Sequence, residues 1–472
     1  MRKSRLVHVF YALTSSQRLL LRKAVYSPIF NKREDIQLLL EYMYKIDPIS
    51  QKNLLDRETV FKQLFPKQKF DMQQLRYTMS FLLKVLEDVL IYQQATKDEF
   101  QNKLYLARAY RELKAPKFFE QTIQKARQDY GKQNLRDISN LKNAYSLELE
   151  SYLATQEQGR TKPKNLQKLN DAFDIQYIAE KLKQACRILS YQTVYKEEYQ
   201  TGLLAEVLGY VGNHKLLLNI PAVALYYYYY KAATEVVEGA SFFDQFKHEL
   251  LQAEGVFSDV EMRDLHVLAI NYGIKRLNTE QGDYYLQETF DLYKIALTKD
   301  YLSEQGELSR FAFTNIVSIA LKLKEYKWTW DFIESYKEHL NTVVRETYVH
   351  HSLSKWHFEQ KQYDEAMLLL QQADYDDLLL NLSSKIMLLK IYYELSEYEV
   401  LDALLNSFKT FLSRKKLLAY HKENYRNVIR LTNKLVNVNP FSKTAKAKLR
   451  QEIEQTKVLT ERAWLLQQLD QL

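Results

Sequence analysis

The sequence predicts an all-α chain assembled from antiparallel helix pairs, and three observations point there. The chain has 10 glycines and 7 prolines in 472 residues, about 4% where about 12% is usual. Glycine is absent from positions 1–130 and 307–472, whereas β-rich folds use glycine and proline at their many turns. In the C-terminal half, apolar residues recur every 35 to 37 positions on both sides of a short polar turn, as stacked helical hairpins require. With 46% apolar and 27% charged residues, the chain is neither collagen-like nor of low complexity.

In chain order, the stretch Leu6 to Leu13 is short, contains His8 and Tyr11, and has no small-residue cleavage pattern before Arg18. It reads as the start of the first domain and not as a leader. Helix patterns then begin near Ser15, Lys32, Asp56, Asp71 and Lys97, several behind a Ser or Asp suited to an N-cap. Residues 1–33 carry Arg2, Lys3, Arg5, Arg18, Arg22, Lys23, Lys32 and Arg33 and no acid. Arg18 and Arg22 share a helix face, and Leu19, Leu20 and Leu21 between them are expected to turn toward a core, leaving an electropositive exterior. Such a stripe can neutralise phosphates, stay solvated, or match the acidic middle of this chain or a sister chain. The net charge of +8 is the remainder of +12 over residues 1–200, −12 over 201–400 and +8 over 401–472.

Between Gln156 and Gln167 the turn formers and charges Gly159, Arg160, Lys162, Pro163 and Lys164 interrupt the helical pattern. This places a boundary between a basic helical region, 1–158, and a repeat region, 165–440. Cys186, the only cysteine, rules out an internal disulfide and a thiolate zinc cluster, and a reducing, cytoplasmic setting fits. It lies in an amphipathic segment where a packed thiol is expected. Further on, Tyr226 to Tyr230 spread right round a helix, so that helix is expected to be an inner one with Pro221 near its first turn. Its tyrosines either pack core or, like Tyr227 and Tyr228, line a peptide-binding surface.

The recurrence is clearest over 311–412. Lys324-Glu325-Tyr326, Lys361-Gln362-Tyr363 and Ser396-Glu397-Tyr398 align. Aliphatics Ile316, Leu353 and Leu388 stand ten positions before each tyrosine, and Ile333, Leu370 and Leu405 seven positions after. The unit from Tyr363, with Ala366, Leu370 and Ala373 following and Tyr392 on the next first helix, resembles the tetratricopeptide repeat family. Ser354 alone meets that family's glycine-like small position, and its terminal proline is missing throughout. The resemblance is looser around Gly282-Asp283-Tyr284 and over Arg111 to Ala126. It implies a right-handed α–α superhelix, a TPR-like solenoid, serving as an interaction scaffold.

Little else points to chemistry. Phosphate-cradling loops need glycines, and no Walker-type or dinucleotide fingerprint occurs. His248 to Gln252 begins like a zincin helix but puts Gln where the second ligand belongs. His350, His351 and His357 are read as solvated or capping residues, since the first and last lie about 10.5 Å apart along a helix. Asp374, Asp376 and Asp377 read as a solvated turn and N-cap. No cofactor, metal or catalytic residue is therefore expected. The longest uncharged run, Leu216 to Tyr230, holds Asn219 and Pro221 and is too short to span a bilayer.

From Ser442 to Leu469, the residues Leu449, Ile453, Leu459, Ala463 and Leu466 lie near helical spacing with Trp464 alongside. The expectation is one long C-terminal helix within 441–472 that caps the solenoid or docks on another protein. The leading function is a non-catalytic protein–protein interaction scaffold that grips a peptide or helix. Candidate contact residues are Arg18, Arg22, Lys23, Lys32, Arg33, Tyr227, Tyr228 and Trp464. The alternative is a nucleic-acid-binding or regulatory protein using the basic stretches 1–33 and 409–450, and an unmotified enzyme on a helical scaffold is third.

Overall fold

The computed structural model describes residues 1–47, 50–156, 164–195, 197–277, 282–304, 306–372, 377–414 and 419–472. Among them the chain is all-α, with 23 helices and one small β-hairpin, Ser303–Glu304 paired with Glu307–Leu308. No helix among the described residues is long and apolar enough to cross a membrane. Contacts divide the chain into two compact units, Met1–Ile188 with Glu198–Tyr226, and Leu189–Glu197 with Tyr227–Leu472. The expected boundary at 158–165 lies almost wholly outside the described residues.

The first unit opens with α1 (Arg5–Ala12), α2 (Ser15–Tyr26), α3 (Glu34–Tyr44) and α4 (Arg57–Leu64), which pack around the 25-residue α5 (Met72–Thr96). The starts follow the sequence signals closely. Thr14 and Gln17 form a capping box before α2, and the Asp71 carboxylate accepts from the Gln73 and Gln74 amides at the head of α5. Leu75, Thr78, Leu82, Val85, Leu86 and Val89 form the buried stripe of α5, and each apolar side chain so buried contributes about 1.5–3 kcal/mol. Then follow α6 (Glu99–Glu112), α7 (Pro116–Lys132), α8 (Ile138–Gln156), α9 (Leu166–Tyr195) and α10 (Leu204–Asn213). The Cys186 thiol is fully buried and donates to the Tyr226 carbonyl at 3.3 Å.

α11 (Pro221–Thr234) starts at Pro221, as expected, and carries the tyrosine run. Tyr226, Tyr227 and Tyr229 are buried and Tyr228 and Tyr230 half-buried, so the helix is packed on several sides. The second unit continues with α12 (Gly239–Gln252), α13 (Asp259–Arg276) and α14 (Gly282–Thr298). Gly273 lets α13 and α14 approach, because a Cβ there would sit 2.0 Å from Thr289 Oγ1.

Three helix pairs follow: α15 (Arg310–Lys322) with α16 (Tyr326–Tyr336), α17 (Arg345–Glu359) with α18 (Tyr363–Gln372), and α19 (Leu378–Glu394) with α20 (Tyr398–Arg414). Tyr326, Tyr363 and Tyr398 each open a second helix. Each turn has three residues, and its middle residue, Lys324, Lys361 or Ser396, adopts φ near +60°. In each the amide of that residue and the next return to the first helix, as in Lys361 N to Phe358 O and Gln362 N to His357 O. This is the Schellman closure, here built without glycine. The α6–α7 turn, with Lys114 at φ 56°, repeats it. First helices pack in succession, α15 on α17 and α17 on α19. The aligned Ile316, Ile333, Leu370, Leu405 and Phe408 are buried, and Ala366 packs with Leu370, Met387 and Ile391. Ala373 lies outside the described residues, as do Asp374 and Asp376.

The C-terminal expectation needs correction. After α21 (Ala419–Asn437), residues 442–469 form two helices, α22 (Lys443–Gln455) and α23 (Arg462–Gln471), and not one. Thr456 ends the first, with its amide and hydroxyl both donating to the Glu452 carbonyl. Asn424 of α21 then holds Thr460 through paired hydrogen bonds, fixing the connection. The six-residue step from Ile453 to Leu459 is about 600° of helix rotation at 100° per residue, so the apolar stripe had already left one face.

Candidate functional site

In the second unit the first helices α15, α17 and α19 present matching positions, counted back from the tyrosine that opens each second helix. Eight before it stand Ser318, Lys355 and Lys390; five before, Leu321, Phe358 and Tyr393; four before, Lys322, Glu359 and Glu394. Positions four apart lie on one helix face, so each helix shows one polar pair with a ring or leucine beside it.

The α19 set is filled by α23. Lys390 pairs with Glu461. The Trp464 indole N–H donates to Glu394 Oε1 at 2.8 Å, and the Tyr363 hydroxyl donates to the other Glu394 oxygen. The indole stands edge-on to Tyr393, with ring centroids 5.4 Å apart at 77°, and the Lys390 ammonium lies 5.6 Å from the indole centroid.

The α17 set is not. Lys355 donates to Ser318 Oγ at 3.0 Å, while Glu359 has no hydrogen-bond or ion-pair partner among the described residues. A cavity of about 170 Å³ lies in front of Lys355, Phe358 and Glu359. It shares Leu321, Lys322 and Glu359 with a groove of about 810 Å³ whose opposite wall is α23 and the segment before it, including Leu459, Ala463 and Leu466. Of the charged residues lining the cavity, Lys322, Lys355 and Lys390 are cationic and Glu359 and Glu461 anionic. Lys324, Lys457 and Arg462 add positive charge along the groove against Asp283.

Burial lowers the Lys355 pKa to about 8; Glu461 opposes the shift, and the Lys390 and Lys322 ammoniums add to it. Glu359 is exposed at its helix end, yet the protein surrounding its carboxyl raises its pKa, with Lys390 opposing and Glu394 and Glu461 reinforcing. One turn before Lys355, His351 is buried between two serines of α19. The Ser384 hydroxyl donates to the Leu380 carbonyl, so it accepts from His351 Nδ1–H, and His351 Nε2 accepts from Ser383. His351 is thus a neutral core residue and not the solvated or capping one expected. His357 does sit at a helix end, bonded to Gln362.

The sequence-predicted contact residues scatter. Trp464 belongs to this site, but as a buried ring spent on the chain's own Glu394. Tyr227 is buried; Tyr228 is half-buried and stacks with Phe242. In the first unit, Arg22 makes a bidentate pair with Glu41 and Arg33 with Asp35, while Arg18 donates to the Tyr11 carbonyl. Lys23 and Lys32 are exposed. Leu19, expected to face a core, is 56% exposed, whereas Leu21 is fully buried and Leu20 packs partly against the core. His248 and Gln252 hydrogen-bond each other, and Asp377 caps α19 through the Leu380 amide. No cluster of three or more His, Cys, Asp or Glu suited to a metal occurs among the described residues.

Lys355, Phe358, Glu359, Lys390 and Glu394 were not singled out from sequence. Their signal is a short pattern, Lys-x-x-aromatic-Glu, that occurs at 355–359 and again at 390–394. No protein-family model matches the chain, and no curated protein and no solved structure matches it.

Proposed function

We propose that the second unit carries a tetratricopeptide-like, right-handed superhelical array, and that the protein is a non-catalytic scaffold holding a peptide or helix of a partner protein along the face formed by α15, α17 and α19. The observation that supports this reading most is the open, leucine-lined groove bordered by Lys322, Lys324 and Glu359. Ion pairs and hydrogen bonds are what such a surface offers, with apolar side chains of the ligand filling the leucine floor. A reducing, cytoplasmic setting goes with this reading, because the single thiol is buried and burial raises its pKa far above the thiol range. The nucleic-acid reading draws less support, since Arg22 and Arg33 already pair with carboxylates of their own unit.

The test is affinity capture at native salt with the wild-type chain and with a Lys322→Glu/Lys324→Glu variant. The reading expects a protein recovered by the first and lost from the second. Recovery unchanged by the charge reversal, or no protein recovered by either, would count against it.

A further inference from the structure

One Lys-x-x-aromatic-Glu set is occupied and its counterpart one repeat earlier is not. On α19, Lys390, Tyr393 and Glu394 receive Glu461, the residue that caps α23, and Trp464 of α23 itself. On α17, Lys355, Phe358 and Glu359 stand at the same positions and face a cavity instead. Resting on the scaffold reading above, we infer that the α17 set is a second site of the same kind, and that its occupant is a helix of a partner protein carrying an acid and, three residues later, a tryptophan.

Three features of the unfilled set select that chemistry. First, charge: among the residues lining the cavity, three ammoniums face two carboxylates, leaving one cation for an incoming acid, as Lys390 takes Glu461. Second, hydrogen bonding: Glu359 is exposed at the cavity and has no donor from the described residues, so a ligand that brings an N–H makes a charge-assisted bond there in place of water, as the indole does at Glu394. Third, shape: Phe358 supplies the ring that Tyr393 supplies to Trp464, and the Lys390 ammonium already lies 5.8 Å from the Phe358 centroid. A residue and the third one after it fall on one helix face, so a single helix reaches both members of the Lys355–Glu359 pair. Tyr326, which opens α16 as Tyr363 opens α18, lines the adjoining groove beside Glu359. Leu321, Leu459 and Leu466 there take the partner's remaining apolar side chains.

The probe is a fluorescent synthetic peptide of residues 458–469, which contains Glu461 and Trp464 and no other part of the fold, titrated against the full chain at low salt and read by anisotropy. Saturable binding is expected, weakened about tenfold or more by Glu359→Gln or Lys355→Met in the chain and not weakened by Glu394→Gln. Trp464→Phe or Glu461→Gln in the peptide alone must weaken it to the same degree, and these changes leave the folded chain untouched. Absence of saturable binding overturns the proposal. So do equal binding by the Glu359→Gln and Lys355→Met chains, full binding by the altered peptides, or loss on Glu394→Gln, which would mean exchange with the chain's own α23. Failure here alongside charge-sensitive partner capture through Lys322 and Lys324 would remove the α17 site and leave the scaffold reading standing.

Discussion

The indole N–H of Trp464 donates to the carboxylate of Glu394 at 2.8 Å, across 70 residues of chain. That bond and the adjacent Lys390–Glu461 pair tie α23 to α19 and make the C-terminal segment part of the wall of the groove. Trp464→Phe keeps an aromatic ring against Tyr393 but removes the donor together with part of the buried ring volume. Hydrogen bonds to charged groups contribute about 1.5–3 kcal/mol; with Tyr363 still donating to Glu394, a loss near the lower figure is expected in urea unfolding. A stability equal to wild type would show that α23 is held by apolar packing alone.

The turns at Lys324, Lys361 and Ser396 hold ordinary L-residues at φ near +60°, a conformation that costs about 1–2 kcal/mol for a residue with a Cβ and little for glycine. Glycine also loses more entropy on folding, so the net gain is smaller. Lys361→Gly and Ser396→Gly are each expected to raise stability by about 0.5–1 kcal/mol, measured as a shift in denaturation midpoint at constant slope. A loss of stability in both would mean that the side chains at these turns contribute more than their backbone strain costs.

Gly273 has the opposite requirement. The 2.0 Å approach to Thr289 Oγ1 is closer than any real Cβ contact, and Thr289 is itself buried and bonded to the Tyr285 carbonyl. Gly273→Ala is expected to cost about 1–3 kcal/mol through overpacking, despite alanine's better helix propensity. The double variant Gly273→Ala/Thr289→Ala, which removes the facing hydroxyl, should recover part of the loss. A Gly273→Ala chain as stable as wild type would contradict the close packing of α13 on α14.

Buried, neutral His351 and half-buried Lys355 on α17 set the pH dependence. Burial, with the Lys355 ammonium second, holds His351 well below its ordinary pKa of 6.5. Below pH 6.5 the unfolded chain therefore binds a proton that the folded chain refuses, and stability falls as pH drops. Lys355, at about 8 in the fold against an ordinary 10.5, gives the same sign at higher pH, with stability rising between pH 8 and 10. Above pH 10 the slope reverses, because Tyr348 and Tyr363, raised by burial and by their carboxylate partners, keep protons that the unfolded chain loses. Denaturant unfolding should give increasing stability at pH 5.5, 7.5 and 9.5, and Lys355→Met should remove the upper step. An upper step unchanged in Lys355→Met would assign it to other groups.

Much of the fold is legible in the sequence where local chemistry dictates it. Asp71 announces α5, and Pro221 opens α11. The three aligned tyrosines Tyr326, Tyr363 and Tyr398 open the second helices of their pairs because each follows a turn that must be polar. The left-handed turn residues were hidden, since Lys324, Lys361 and Ser396 are not the glycines that normally mark that conformation. The break at Thr456 was hidden by reading Leu459 as a continuation of the stripe of Leu449 and Ile453, although the step between Ile453 and Leu459 does not fit one face. The candidate site was the least legible part. Basic residues drew attention to Arg22 and Arg33, but sequence does not show that Glu41 and Asp35 fold back to meet them. The polar pairs on α17 and α19 take on meaning only once the packing of successive first helices brings them side by side.

The central claim is that partners bind along the groove between the first helices and α23. A photo-crosslinking residue placed at Ala463, exposed on the groove wall, should trap a protein partner in cells. The same residue at Glu399, exposed on the second helix α20, should not. Adding Lys322→Glu/Lys324→Glu should abolish the Ala463 product. Equal products from Ala463 and Glu399, or a product at Ala463 indifferent to the charge reversal, would contradict the claim.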